Sequence, residues 1–74
     1  MKTEQPISDL LRFARQFRGL TQQSAARRLG TSERTLRRWE SGTQPLPDHR
    51  ARILDVSEAW IMQRIARIRT SDTW

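Results

Sequence analysis

The chain has no cysteine and no tyrosine, one histidine and one lysine, and only three glycines and three prolines in 74 residues. Without cysteine there is no disulfide framework, no thiolate nucleophile and no cysteine zinc site, which fits a reducing cytoplasm. His49, beside Asp48 in a proline-bounded turn, has neither a second imidazole nor a carboxylate pair at ligand spacing, so no catalytic or metal-binding role is expected of it. No window approaches the roughly 18 apolar residues of a membrane span. The opening MKTEQPISDLLRF carries acids and a proline where a signal peptide needs an apolar run. Strand-like alternation, repeats and low-complexity tracts are also missing. The simplest expectation is a soluble cytoplasmic protein, not an enzyme, with no cofactor and no small-molecule ligand.

Arginine is what the chain has in quantity. It supplies 13 of the 14 basic residues, and the formal net charge is +6 with a pI near 11.7. Its planar fork suits phosphate and base edges, which makes nucleic acid the leading partner, although a basic balance by itself is also common in proteins that bind none. A chain this short buries only about 60% of its unfolded surface, so one domain that gains from association is expected, with no large enclosed cavity.

Helical periodicity with clear punctuation organises the chain. Ile7, Leu10, Leu11, Ala14 and Phe17 recur at helical spacing up to Gly19, predicting a helix over about 7–18. Thr21 caps a second over about 22–29, closed by Gly30. Ser32 caps a third over about 33–40 that stops near Gly42, with Glu33 complementing its N-terminal dipole. The prolines of TQPLPDHR make 43–47 a connector, with Pro47 suited to the first turn of a further helix. Beyond it, Ser57 as a possible cap favours two helices, about 48–54 and 58–69. The expected fold is all-α, a bundle of about five short helices. Residues 7–69 form the domain with its C-terminal amphipathic helix, 1–6 a flexible N-terminus and 70–74 a tail.

Two short helices joined by a tight glycine turn, over 21–41, describe a helix-turn-helix, whose second helix enters the DNA major groove. On a helical wheel Leu36 and Trp39 take one side of that second helix, and Glu33, Arg34, Arg37, Arg38 and Ser41 the opposite arc. Gln22 sits in the first turn of the preceding helix, where free N–H groups and the dipole favour a phosphate, and is read as a backbone clamp.

The stretch RGLTQQSAARRLGTSERTLRRWESG, residues 18–42, resembles the Cro/cI-type (XRE) repressor DNA-binding domains in its GLTQ start, Ala26, the LG turn at Leu29 and Gly30, and the WESG end. LDVSEAWIM, residues 54–62, is similar to the segment that turns into that family's fifth helix. The resemblance covers residues 7 to about 62 and implies a lambda-repressor-like fold. It also implies base contacts from Glu33, Arg34, Arg37 and Arg38, with G·C pairs in the site because arginine pairs bidentately with guanine. Glu33 has a plainer reading, holding Arg37 or complementing the dipole, and the arginines one as a solvated face. The resemblance places Ser41 and Thr43 on the DNA backbone, where turn chemistry is the alternative, and Ser32 is grouped with them. It further implies a partly buried salt bridge between Arg15 and Glu40, tying the first helix to the end of the third.

The apolar stripe Ile61, Ile65 and Ile68 in the basic C-terminal helix is read as packing on the core, pairing with its twin across a two-fold axis, or both; an anionic membrane surface is the remote option. Together these readings predict a double-stranded-DNA-binding repressor or autoregulator of phage or bacterial genes, acting as a homodimer on a pseudo-palindromic operator. The rival class is an antitoxin or other interaction module that binds a protein partner through the C-terminal helix.

Overall fold

Ile7, Leu11 and Ala14 fall on one face of α1 (Ile7–Arg18), and all three are buried. The structure is a computed structural model that describes residues 6–71, with side chains as far as 69. Residues 1–5 and 72–74, and with them most of the expected N-terminal segment and tail, lie outside the described residues. Two eight-residue helices follow, α2 (Gln22–Leu29) and α3 (Glu33–Glu40), and then α4 (Pro47–Ser71). All regular structure among the described residues is helical.

Such short helices have few internal bonds, so their ends are satisfied with care. The Thr21 hydroxyl accepts the Ser24 N–H at 3.0 Å, and the Ser32 hydroxyl accepts the Thr35 N–H at 3.1 Å. Each of α1, α2 and α3 ends in the same paired closure. In α2 the Gly30 N–H reaches the Arg27 carbonyl at 3.2 Å while the Thr31 N–H reaches that of Ala26 at 2.9 Å. Gly30 holds φ 74°, and a Cβ there would meet nothing nearer than 3.9 Å, so glycine is required by the backbone conformation and not by crowding.

The core is a thin layer in which every helix takes part: Ile7, Leu11 and Ala14 from α1, Ala25, Ala26 and Leu29 from α2, Leu36 and Trp39 from α3, and Ile53 and Trp60 from α4. Leu20, Val56 and Ile61 pack at its edge. The small side chains of Ala25 and Ala26 let α2 lie close against its neighbours. His49 stands beside Trp39, ring centroids 5.4 Å apart, and so joins the start of α4 to α3.

The two C-terminal helices expected over 48–54 and 58–69 are one continuous helix of 25 residues, so the bundle has four helices among the described residues. The reason is geometric. Ile53, Ser57 and Trp60, at i, i+4 and i+7, are all buried on one face, and only an unbroken helix keeps them there without a glycine or proline to turn the chain. Ser57 is therefore no cap. Its side chain is fully buried, and its hydroxyl has no hydrogen-bond partner.

An unpaired buried hydroxyl costs about 1–3 kcal/mol. Ser57→Ala removes it at nearly constant volume and improves helix propensity, so the variant is expected to be more stable by about 1 kcal/mol, read as a rise of several degrees in Tm. A lower Tm would show that the hydroxyl is satisfied in solution.

Candidate functional site

The outer arc of α3 is set by what its inner arc must do. Leu36 and Trp39 turn inward, which sends Arg34, Arg37 and Arg38 into solvent. The guanidinium groups of Arg34 and Arg38 have no hydrogen-bond or ion-pair partner among the described residues. Arg37 differs, because Glu33 one turn earlier holds it at 3.3 Å, both side chains being about half exposed (57% and 41%). Such a pair contributes only a few tenths of a kcal/mol, which a stronger partner can displace.

At the far end of α3 lies the buried charge of the domain. Glu40 is 5% exposed, and its carboxylate accepts from Arg15 Nε at 2.6 Å and Nη2 at 3.2 Å. Arg15 also donates to the Leu20 carbonyl at 3.0 Å, so one guanidinium binds α1, the α1–α2 turn and α3 together. The same carboxylate accepts from Gln22 Nε2 at 3.1 Å. Gln22 thus lends one amide N–H to Glu40 and keeps a second for another acceptor.

Arg12, which the sequence reading passed over, completes this cluster. Its Nη1 donates to the Glu40 carbonyl at 2.8 Å, satisfying the end of α3, and its Nη2 to Asp9 at 2.8 Å. The available signal was its spacing: Asp9, Arg12 and Arg15 follow one another at i+3 on the flank of α1 that faces α3. Arg12, Arg15, Gln22, Arg37, Glu40 and Ser41 line an open depression of about 430 Å³ between the start of α2 and the end of α3. Each arginine lining the depression is paired with a carboxylate, Arg12 with Asp9, Arg15 with Glu40 and Arg37 with Glu33, so the depression is polar and its guanidinium groups are held in place.

The remaining polar candidates are engaged locally. The Ser41 hydroxyl donates to the carbonyls of Arg37 and Arg38 at 2.9 and 3.1 Å, and the Ser32 hydroxyl donates to Thr35 Oγ1 at 2.9 Å besides capping α3. Thr43 is exposed just past α3, with its N–H on the Arg38 carbonyl at 3.0 Å.

The stripe on α4 divides. Ile61 packs at the core edge, whereas Ile65 and Ile68 are 37% and 44% exposed. Phe13, Leu46, Leu54 and Met62 are exposed too, so the stripe is not the sole apolar surface among the described residues. No group of three or more acidic, histidine or cysteine side chains that could hold a metal occurs among the described residues, and no described helix is long and apolar enough to cross a membrane.

A family model described as helix-turn-helix matches residues 11–61, which take in α2, the turn, α3, the depression and the first half of α4. No curated protein and no solved structure matches the chain.

The Arg15–Glu40 contact yields a stability test. Removing one member of a buried pair strands the other charge, at about 3–5 kcal/mol, with the low end expected here because Arg15 keeps 12% of its exposure. Glu40→Ala should thus lose about 3 kcal/mol in urea unfolding, and Arg15→Met with Glu40→Leu should lose clearly less. A single-variant cost under 1 kcal/mol would reduce the pair to a surface contact.

Proposed function

The chain belongs to the Cro/cI-type (XRE) helix-turn-helix family of DNA-binding transcription regulators, and we propose that it is a sequence-specific repressor or autoregulator working in the cytoplasm as a homodimer on a pseudo-palindromic operator. The observation that carries this reading is the outer arc of α3, where Arg34 and Arg38 stand exposed without an internal partner on a helix whose other face is locked into the core. In the major groove, arginines so placed pair bidentately with guanine N7 and O6. Glu33 and Arg37 reach the same edges once their mutual ion pair opens, Glu33 accepting from a cytosine amino group.

Phosphates occupy the flank. Gln22 donates its second amide N–H to one, with Glu40 fixing the orientation of the amide, and Arg12 adds charge beside it. Ser32, Ser41 and Thr43, at the two ends of α3, donate their hydroxyl protons to phosphates, those of Ser32 and Ser41 turning away from the Thr35 oxygen and the Arg37 and Arg38 carbonyls that they otherwise meet. A single eight-residue helix reads only a few base pairs, whereas a two-fold dimer reads two half-sites about 34 Å apart, enough to single out one site.

A second reading has support in the apolar surface of α4: an antitoxin or similar module that binds a different protein there. A second protein copurifying in stoichiometric amount favours it, and a genomic fragment enriched on the immobilised chain favours the repressor.

Selection of bound sites from a random duplex library tests the main reading and should return a two-fold symmetric consensus containing G·C pairs; no enrichment would refute it. On the selected site Arg34→Ala and Arg38→Ala should each cost about 1–3 kcal/mol while leaving non-specific binding largely in place. Unchanged specificity in both variants would remove them from base readout. Gln22→Ala should weaken binding to all sequences alike, measured as a parallel loss on specific and random duplexes, since a phosphate contact carries no base information. A loss confined to one base pair would reassign Gln22.

A further inference from the structure

The two ends of α3 differ in how their cations are held. Gln22, bonded to Glu40, belongs to the C-terminal end, where every arginine of the depression meets a carboxylate. The N-terminal end, at the turn of Gly30, Thr31 and Ser32, has a neighbour from outside the helix-turn-helix. Arg52 Nη2 of α4 lies 3.9 Å from where a Cβ on Gly30 would stand. Asp48 and Asp55 stand four residues before Arg52 and three after it, the spacings at which ion pairs form along a helix. Arg52 pairs with neither of them. Among the described residues its guanidinium makes no hydrogen bond and no ion pair, and the exposed side chain extends over the turn instead. Arg27 and Arg28, exposed in the last turn of α2, are likewise unpaired, and Glu33, the nearest acid along the chain, is taken by Arg37. Three unpaired cations thus adjoin one turn, an arrangement that favours an anion beside it.

The length of α3 says which anion reaches there. Its eight residues run about 12 Å, close to the width of the DNA major groove. With the outer arc on base edges, the two ends of α3 then stand toward the two strands that wall the groove. We propose that Arg52 is a phosphate contact on the strand facing the N-terminal end of α3, opposite the strand that Gln22 holds, with Arg27 and Arg28 adding to the positive potential. Ile53, the next residue, is 1% exposed, so the core fixes the point from which the Arg52 side chain extends. α4 thereby belongs to the nucleic-acid surface as well as to the core. A contact of this kind positions α3 between the strands and carries no base information. The proposal rests on the DNA-binding reading above and adds to it a second strand and a residue outside the helix-turn-helix.

The duplex returned by site selection is the probe. Arg52→Gln should weaken binding to it and to a random duplex by the same factor, and should lower the slope of log K against log salt by about 0.9, the release of one counterion. Arg52→Lys should keep most of that slope, since a phosphate accepts a point charge. Arg67→Gln removes the same charge from an exposed position near the far end of α4 and should leave the slope unchanged. An unchanged slope in Arg52→Gln, or an equal fall in Arg67→Gln, overturns the proposal. Single methylphosphonates, which neutralise one phosphate at a time, assign the strand. Those that weaken the wild-type chain should form two groups in each half-site, one per strand, with Arg52→Gln indifferent to one group and Gln22→Ala to the other. Indifference of both variants to the same group overturns the assignment. Urea unfolding separates the contact from a brace on the end of α2: a brace lowers the stability of Arg52→Gln and alters neither DNA readout, and that result also defeats the proposal. Failure of the DNA-binding reading shows as no enrichment in the selection, whereas failure here shows on a duplex that the wild-type chain binds.

Discussion

The Arg15–Glu40 contact is the constraint on which the rest of the domain depends. A bundle of helices this short has little area with which to fix the angle of α3, and apolar contacts of Leu36 and Trp39 alone would tolerate sliding along the helix axis. The buried carboxylate removes that freedom because a charge in this position must meet its guanidinium partner at hydrogen-bond distance. Three further bonds converge on the same point: Arg15 to the Leu20 carbonyl, Gln22 to the carboxylate and Arg12 to the carbonyl that ends α3. The start of α2 and the end of α3 are thereby held in one geometry.

This arrangement explains how so small a core holds α3 in a fixed orientation. The inward residues of α2 are alanines and a leucine, so close approach and not bulk stabilises the pair of helices. Paired glycine closures and hydroxyl caps satisfy the ends of helices too short to be stable in isolation. The arginines of α3 are then presented by a rigid backbone, so only their side chains remain to be ordered when they meet a partner.

Two surfaces of opposite character follow from the same fold. The outer arc of α3 and the depression beside it are basic and polar, while one side of α4 together with Leu10 is apolar. Like charges on the first repel a second copy, whereas the second is largely apolar, so the two faces are available to partners of different chemistry.

Local sequence determined residues 7–40 almost by itself. The bounds of α1, α2 and α3 were legible because each carries its own stop and start, Gly19 and Thr21, Gly30 and Ser32, acting within a few residues through local hydrogen bonds. The inward and outward arcs of α3 were legible for the same reason, since periodicity is local. Three things were decided only by tertiary packing. Ser57 is a good cap by composition, yet the burial of Ile53 and Trp60 on one face outweighs a hydroxyl bond and keeps α4 whole. The joint engagement of Gln22 and Arg12 with Glu40 spans 18 and 28 residues, a distance over which sequence spacing carries no information. The division of the isoleucine stripe into a packed Ile61 and exposed Ile65 and Ile68 depends on where α1 runs out beside α4, which no pattern within α4 records.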